Sequence, residues 1–481
     1  FDMSIKISDM SSLSPSAADL NFADDRAGGH SMHPNANPAT AYQSSLQSRK
    51  CGALSGIARV PGDKSISHRA LMFGALAEGE TMISGLLEGE DVYNTAGAMR
   101  AMGAHIQKGE DGLWRCFGRG LGNLVEPAQV LDMGNSGTST RLLMGIVAAH
   151  PICAVFTGDA SLIKRPMARV MTPLEQMGAA FMGRAGGRLP MAVRGSEALK
   201  AITYRLPVAS AQVKSAILLA GLNASGETQV IEDHPTRDHS ENMLRHFGVE
   251  VDVGTQEDGS DIIAVRGGQR LRGCSVDVPA DPSSAGFPVV AALINAGSDI
   301  RLPNIGMNPR RIGLYETLLE MGAEIAFEDR ALSAGEATAT LHVRGHKTLR
   351  GVDVPEHRVP SMIDEFPILA MAAACSEGTT RMRGLAELRV KESDRLLMVA
   401  NGLKACGVEL EMGEDWLTIY GNGRPPRGGA MIETALDHRI AMSFLVLGTV
   451  TDEPIAIDDG GAIRTSFPNF LSLMQELGAD I

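Results

Sequence analysis

The sequence is poor in aromatic residues and has no cysteine pattern typical of a metal site. Aromatic side chains make up 4% of the 481 residues, whereas the chain has 54 glycines and 25 methionines. The cysteines are Cys51, Cys116, Cys153, Cys274, Cys375 and Cys406. No pair of them has the CxxC spacing, and no histidine pair completes a zinc pattern. We therefore expect reduced thiols, no bound metal and a cytoplasmic location.

The sequence also lacks long apolar runs and an excess of positive charge. No stretch approaches the roughly 18–20 apolar residues that a membrane-spanning helix needs. The 44 lysines and arginines are outnumbered by 57 acidic residues, which gives a formal net charge of −13. Since general nucleic-acid binding requires a basic face, we expect neither nucleic acid nor a membrane as partner. Lysines and arginines placed within motifs of an acidic chain favour a small anionic ligand.

The length predicts two domains, because a single hydrophobic core rarely grows to this size. Residues 1–53 are rich in serine, alanine, asparagine and aspartate, and they show no apolar period. This composition is typical of a disordered leader rather than of a secretory signal or a transit peptide. We expect the ordered chain to begin near Leu54.

A short phrase recurs six times in the remaining chain. It consists of a helical segment, a glycine, a small or β-branched residue and a strand-like stretch. The glycines are Gly103, Gly178, Gly248, Gly322, Gly407 and Gly478. A helix commonly ends at such a glycine because the next backbone position is left-handed. The sequence therefore predicts six copies of one structural unit.

A second phrase recurs in step with the first: a polar start opens a helix that is apolar nearly all round. The six starts are Lys64, Ser136, Ser210, Pro282, Met362 and Asp437. A helix without a polar face is buried. Each unit thus has one buried helix, one amphipathic surface helix and short strands, which predicts an α/β fold with sheets outside and helices within. Helix starts that converge on one cleft would attract a multiply charged anion.

Two charged motifs are candidates for such an anion site. Ser65 and Arg69 are four residues apart and share one helix face just after Lys64. In the run from 389 to 395, Lys391 and Arg395 have the same spacing. The alternative for the first motif is a solvated, charged helix end. The alternative for the run from 389 to 395 is a solvated face with internal salt bridges, which is the usual meaning of such runs.

From about Leu54 to Ile481, these motifs resemble the enolpyruvyl transferase family. The resemblance implies a two-domain inside-out α/β barrel with six βαβαββ repeats, three in each domain. It places residues 63–275 in one domain and residues 54–62 with 276–481 in the other. It also implies that the chain transfers the enolpyruvyl group of phosphoenolpyruvate to the 5-hydroxyl of shikimate 3-phosphate and releases phosphate, a step of aromatic amino acid synthesis. Neither a metal nor an organic cofactor is implied, and we expect a monomer.

The resemblance implies two sets of substrate-binding residues. Those for shikimate 3-phosphate are Lys64, Ser65, Arg69, Ser210, Ala211, Gln212, Arg237, Asp364 and Lys391. Those for phosphoenolpyruvate are Lys64, Gly137, Arg165, Gln212, Arg395 and Arg439. Asp364 is implied as the base that takes the hydroxyl proton, and either Glu392 or Lys64 as the acid that protonates the methylene carbon. Family members bind the inhibitor glyphosate next to the position of Gly137, so we expect inhibition here.

Several alternatives remain at this level. Arg237 could instead form a salt bridge with Asp238 or Glu241, which lie close to it in the sequence. A related transferase that uses UDP-N-acetylglucosamine has the same fold, but it typically carries a loop cysteine that this chain lacks. A non-catalytic sugar phosphate sensor would need no acid and base, so the presence of both Asp364 and Glu392 argues against it.

Overall fold

The computed structural model describes residues 45–481, and residues 1–44 of the predicted leader lie outside the described residues. The end of that leader differs from the prediction. Leu46–Ser48 forms a strand that pairs antiparallel with Ile455–Ile457. Three residues carry too little periodicity to reveal a strand, and this one is fixed by pairing with a segment about 400 positions away along the chain.

The described chain contains twenty-two strands in six sheets. In chain order they are β1 Leu46–Ser48, β2 Ser55–Ile57, β3 Glu80–Ser84, β4 His105–Lys108, β5 Trp114–Phe117, β6 Leu131–Asp132, β7 Cys153–Thr157, β8 Ala180–Arg184, β9 Arg188–Arg194, β10 Thr203–Arg205, β11 Glu227–Glu232, β12 Val251–Thr255, β13 Asp261–Arg266, β14 Ser275–Asp277, β15 Asp299–Gly306, β16 Glu324–Ser333, β17 Glu336–Arg344, β18 Glu377–Met382, β19 Leu410–Met412, β20 Leu417–Asn422, β21 Met431–Ile432 and β22 Ile455–Ile457.

The described chain also contains thirteen α-helices. They are α1 Lys64–Leu76, α2 Glu90–Ala101, α3 Gly137–Ala148, α4 Ala168–Met177, α5 Ala211–Gly221, α6 His239–His246, α7 Pro282–Ile294, α8 Gly313–Glu320, α9 Val359–Met362, α10 Phe366–Cys375, α11 Arg395–Ala405, α12 His438–Gly448 and α13 Phe470–Glu476. None of the helices within residues 45–481 is long and apolar enough to cross a membrane.

The six predicted units are confirmed by the sheets. The strand orders are β14-β3-β5-β4, β6-β7-β9-β8, β10-β11-β13-β12, β16-β17-β15-β2, β18-β20-β19 and β1-β22-β21. In each four-stranded sheet one edge strand is parallel to its neighbour and the other pairs are antiparallel. All six repeat glycines have a left-handed backbone, with φ between +85° at Gly407 and +117° at Gly178. The spacing of the glycines and the pattern of apolar helices therefore correctly predicted an α/β fold of repeated units.

One buried helix begins later than expected. The fifth helix was predicted to start at 362–364, but α9 ends at Met362 and α10 starts at Phe366. Pro367 lies in the first turn of α10, where a missing N–H costs nothing because that group has no helical partner. As a result, Asp364 lies in the connection between two helices rather than inside one.

Two hydrophobic clusters divide the described residues. The first half, Ile66 to Val278, packs α1, α3 and α5 inside its sheets. The second half, Leu54 to Val60 with Ala280 to Ala479, packs α7, α10 and α12 in the same way. The predicted domain boundaries stay a prediction, which these clusters support.

The chain passes between the halves twice, and the two passages are bonded to each other. The N–H of Asp63 donates to the carbonyl of Pro279 at 2.8 Å, and the N–H of Asp281 donates to the carbonyl of Pro61 at 2.9 Å. Buried Arg311 lies 3.5 Å from Asp63 and 3.0 Å from Asp281. The two helix starts at these passages, α1 and α7, are therefore tied together by one guanidinium.

The left-handed glycines predict a stability difference between two exposed positions. Gly248 has φ +86°, and a Cβ there would meet no atom within 4 Å, so backbone strain is the main cost of Gly248→Ala. We expect that variant to lose about 1 kcal/mol, the cost of a left-handed alanine, and to melt a few degrees lower. The measurement is thermal unfolding by circular dichroism.

The matched control is Gly97→Ala in the interior of α2, where a Cβ also meets no atom within 4 Å. Alanine is the better helix former, so this variant should melt at or above the wild-type temperature. Equal losses in both variants would contradict the role assigned to the left-handed position.

Candidate active site

The starts of the buried helices carry many of the predicted site residues. Lys64 is the first residue of α1, Gly137 of α3 and Ala211 of α5, and Arg439 is the second residue of α12. Five starts are capped by a side chain that accepts a backbone N–H; the caps are Asp63, Ser136, Ser210, Asp281 and Asp437. The uncapped N–H groups leave partial positive charge in the cleft, which favours anions.

Asp364 lies among three cations. Its Oδ1 is 3.1 Å from Lys391 Nζ and 3.2 Å from Arg395 Nη1, and its Oδ2 accepts a hydrogen bond from Arg237 Nη2 at 2.7 Å. Burial alone would raise the pKa of this carboxyl. The surrounding cations, Lys391 and Arg237 foremost, outweigh burial and hold the pKa of Asp364 well below its usual range. Asp364 is therefore ionised in the free protein.

Glu392 also contacts Arg395, the arginine that lies beside Asp364. Its Oε2 accepts a hydrogen bond from Arg395 Nη2, and its Oε1 lies 3.4 Å from Arg165 Nη1. Burial would raise the pKa of Glu392 too, but Arg395 and Arg165 hold it well below the usual range. Because Arg395 also contacts Asp364, one guanidinium joins the two carboxylates that the sequence singled out as base and acid.

Asp437 fixes the arginines of the second half. Its Oδ2 accepts a hydrogen bond from Nε of fully buried Arg395 at 2.8 Å, and its Oδ1 accepts the N–H of Arg439 at 2.9 Å. Arg439 Nη1 donates to Ser283 Oγ at 2.8 Å and to the carbonyl of Asp364 at 3.0 Å. Asp437 thus holds the guanidinium of Arg395 and caps α12 through the backbone N–H of Arg439, while Ser283 and the Asp364 carbonyl hold the Arg439 guanidinium.

Lys64 pairs with the carboxylate of Asp91 at the start of α2. Its Nζ donates to Asp91 Oδ2 at 2.7 Å, and 25% of its side chain remains exposed. Nearby His438 is buried, and burial together with the charge of Lys64 lowers the pKa of this imidazole to about 3. His438 is therefore neutral and adds no charge to the cleft.

Arg69 is a buried cation whose hydrogen bonds go to neutral groups. It donates to Ser240 Oγ at 2.8 Å, to Ser215 Oγ at 3.0 Å and to the carbonyl of Ser65 at 2.9 Å. Burial lowers the pKa of this guanidinium to about 10. Glu241, Asp63 and Glu336 act on it electrostatically, but within residues 45–481 no carboxylate forms a salt bridge with it, so its hydrogen-bonding groups can turn to an anionic ligand.

Arg141 is a second cation whose hydrogen bonds go to neutral groups. Its Nη1 donates to Gln212 Oε1 at 2.7 Å and to the carbonyl of Gly137 at 3.3 Å, while Gln212 Nε2 donates to Thr138 Oγ1 at 2.9 Å. Burial and the nearby charge of Arg165 lower the pKa of Arg141 to about 10. No carboxylate of the described chain pairs with it either. The starts of α3 and α5 therefore form one polar wall with a second available cation.

The two halves meet at the predicted site through charged pairs. The alternative that Arg237 pairs with Asp238 or Glu241 is wrong, because its guanidinium is bonded to Asp364 of the other half. Glu241 instead pairs with buried Lys214 at 2.7 Å. A partner 127 residues away is decided by the fold, so sequence proximity was a poor guide.

Four residues of this cleft received no role in the sequence analysis: Asp91, Arg141, Ser283 and Asp437. The spacing could have revealed Arg141, since it follows Gly137 by four residues just as Arg69 follows Ser65. The other three act by holding a cation or by capping a helix, and such partners are found only once the chain is folded.

Comparison with known proteins gives consistent matches over most of the chain. The sequence profile of the family described as EPSP synthase (3-phosphoshikimate 1-carboxyvinyltransferase) matches residues 48–474. The 3-phosphoshikimate 1-carboxyvinyltransferase of Paramagnetospirillum magneticum (strain ATCC 700264 / AMB-1) is 62% identical over 436 residues, covering 91% of this chain and 98% of that relative. The enzyme of the same name from Rhodospirillum rubrum is 58% identical over 440 residues, covering 91% and 97%.

Solved structures agree with this match. EPSP synthase from Acinetobacter baumannii superposes with a TM-score of 0.80 at 47% identity, covering 90% of this chain and 98% of that one. The enolpyruvyl transferase NikO from Streptomyces tendae superposes with a TM-score of 0.70 at 19% identity, covering 91% and 98%, and this likeness shows a shared fold alone.

The six repeated units, together with the family match and the EPSP synthase relatives, define the chain as an enolpyruvyl transferase. Within that class, the chain belongs to the EPSP synthase family. It is an enzyme that transfers the enolpyruvyl group of phosphoenolpyruvate to the 5-hydroxyl of shikimate 3-phosphate, and phosphate is released.

Proposed function

We propose that this reaction takes place between Asp364 and Glu392, with shikimate 3-phosphate beside Asp364 and phosphoenolpyruvate beside Glu392. The observation that carries the proposal is the position of Arg395, which contacts both carboxylates. The cations assigned to the acceptor, Arg237 and Lys391, contact Asp364. A base and an acid on either side of one arginine can act on two substrates that meet there.

The acceptor is held by hydroxyls and cations from both halves. Arg69, whose hydrogen bonds go to neutral groups, and Arg237 from the first half would pair with the phosphate and carboxylate of shikimate 3-phosphate, together with Lys391 from the second half. Ser65 in the first turn of α1 would offer its hydroxyl to the remaining oxygens of the acceptor. At the start of α5, Ser210, Ala211 and Gln212 would offer hydroxyl, backbone and amide groups to the same oxygens.

Phosphoenolpyruvate would sit where Arg165, Arg395, Arg439 and Lys64 approach one another. Its phosphate and carboxylate carry several negative charges, which replace Glu392 as partners of Arg395 and Arg165. In a cleft that excludes water these pairs are stronger than at the surface, so the ligand can displace an internal carboxylate. The start of α3 at Gly137 adds the partial positive charge of a helix N-terminus to the same pocket.

Substrate binding also adjusts both carboxylates for proton transfer. In the free protein the cations hold the pKa of Asp364 and of Glu392 well below the usual range, which makes both poor at taking a proton. Once substrate anions pair with those cations, the pKa of each carboxyl rises. Asp364 then becomes a competent base, and Glu392 becomes able to carry a proton.

The reaction then proceeds by addition and elimination. A proton passes from Glu392 to the methylene carbon of phosphoenolpyruvate, the acceptor 5-oxygen bonds to the adjacent carbon, and Asp364 takes the hydroxyl proton. In the second step the new methyl group returns a proton to Glu392, the carbon–oxygen bond to phosphate breaks, and the double bond is restored. The released phosphate carries away the proton that Asp364 took, which returns both carboxylates to their starting state. The ammonium of Lys64, bonded to Asp91, is the alternative donor for the first proton.

Replacing the base should separate binding from turnover. Asp364→Asn keeps the shape of the side chain but cannot take the proton, so we expect kcat to fall about 100-fold or more. Affinity for shikimate 3-phosphate should be retained, because the amide leaves Arg237 and Lys391 in place and removes a competing charge. Phosphate release gives the turnover, and titration calorimetry gives the affinity.

The control for this variant is Asp353→Asn, which removes an exposed carboxylate bonded to Arg381 at 3.1 Å. It should leave both measurements near the wild-type values. Full turnover in Asp364→Asn would remove Asp364 from the chemical step, and parallel loss of binding and turnover would make it a binding residue only.

We further propose that glyphosate inhibits the enzyme at the phosphoenolpyruvate pocket and that Gly137 admits it. A Cβ at this position would lie 3.1 Å from Arg165 Nη1 and 2.8 Å from Arg141 Nη1, so both guanidinium groups would have to move. A methyl group in a tight pocket changes affinity by about 10-fold or more. Gly137→Ala should therefore raise both the inhibitory glyphosate concentration and the KM for phosphoenolpyruvate.

Enzyme assays with micromolar glyphosate test this directly, with Gly97→Ala as the control for adding a methyl group at an exposed glycine. Wild-type activity unaffected by glyphosate would refute the proposed inhibition, and an unchanged KM in Gly137→Ala would refute the pocket assignment.

A monomeric state and a cytoplasmic location stay predictions; the six unpaired cysteines support the latter.

A further inference from the structure

Hydrogen bonds between the two halves are found from the segments where the chain passes between them, near residues 61–63 and 279–281, as far as Arg237. Near the passages, Ser333 Oγ at the end of β16 donates to the carbonyl of Asp277 at 2.6 Å. Further along, Glu336 Oε1 at the start of β17 lies 2.8 Å from Nδ1 of buried His239. The hairpin formed by β16 and β17 thus reaches from the second half onto the first.

The loop after β15 adds to these hydrogen bonds between the halves. Asn308 Nδ2 donates to Asp238 Oδ1 at 2.7 Å and to Glu336 Oε2 at 2.8 Å. Asn308 is 5% exposed, so these bonds are largely shielded from water. Its amide therefore joins a carboxylate of the first half to one of the second half.

Arg310, two residues further, holds the chain on both sides of Arg237. Its Nη1 donates to the carbonyl of Thr236 at 2.8 Å, and its Nε lies 3.7 Å from Asp238 Oδ2. Its Nη2 is 3.4 Å from Asp261 Oδ2 on β13. The residue before Arg237 and the residue after it are thus both bound to one guanidinium of the opposite half.

We propose that Arg310 is a positioning residue for the acceptor site. It holds residues 236–238 against the second half, so that the guanidinium of Arg237 stands at Asp364, 2.7 Å away. The proposal rests on the proposed role of Arg237 in binding shikimate 3-phosphate. If Arg237 occupies its binding position only part of the time, the apparent affinity for shikimate 3-phosphate falls by that fraction. Weakening the Arg310 contact should therefore lower the affinity for the acceptor.

The first experiment measures steady-state kinetics of Arg310→Gln. We expect the KM for shikimate 3-phosphate to rise about tenfold, while kcat and the KM for phosphoenolpyruvate change less than about twofold. Arg310→Lys should recover part of the loss, because its ammonium can still pair with one of the acceptors. If Arg310→Gln folds poorly, the acceptor KM of Arg310→Lys tests the same contact.

The matched control is Arg344→Gln on β17. Arg344 pairs with Glu324 at 3.0 Å and with Asp299 at 3.5 Å, both in its own half. It should leave the KM for shikimate 3-phosphate unchanged even if it lowers the melting temperature. A purely structural role for Arg310 would produce that same result in Arg310→Gln, and this outcome would overturn the proposal.

A double-mutant cycle tests whether Arg310 acts through Arg237. In the background of Arg237→Gln, the change Arg310→Gln should raise the acceptor KM by less than about twofold, since the group being positioned is gone. A full tenfold effect in that background would overturn the positioning role. An unchanged acceptor KM in Arg237→Gln alone would instead refute the proposed role of Arg237, so the two failures are distinguishable.

Discussion

The structure depends on keeping many like charges close together in a water-poor cleft. Cationic side chains of α1, α3, α11 and α12 and of the turns at 165, 237 and 391 converge there, and each costs free energy to bury without a partner. Asp364, Glu392 and Asp437 lower that cost by pairing with the cations, with Arg395 at the centre. The same pairs keep the carboxylates ionised, so assembly of the cleft and the ionised state of Asp364 and Glu392 have one electrostatic cause.

The pairing also explains how the chain organisation serves the reaction. Arg237 and Arg165 come from the first half, whereas their carboxylate partners come from the second. Because the chain passes between the halves at only two adjacent segments, the halves can carry different substrate groups and still meet at one place. In the proposed mechanism, anionic substrates then take over contacts that the protein makes with itself in the free state.

Much of this arrangement was predictable from sequence because it repeats. The left-handed glycines and the apolar helices recur at regular spacing, and local geometry decides both features. Other features were not predictable, because distant segments decide them. Strand β1 forms only against β22, and Arg237 finds Asp364 across 127 residues. The start of α10 was misplaced because Pro367 shifts it past Asp364.

The most direct test is a crystal structure with shikimate 3-phosphate and an unreactive analogue of phosphoenolpyruvate. The account predicts that Arg237 and Lys391 turn from Asp364 to the acceptor, and that Asp364 lies within hydrogen-bond reach, about 3 Å, of the 5-hydroxyl. It also predicts that Glu392 faces the methylene carbon while Arg165 and Arg395 bind the analogue. An acceptor bound elsewhere, with the pair between Arg237 and Asp364 intact, would contradict the central claim.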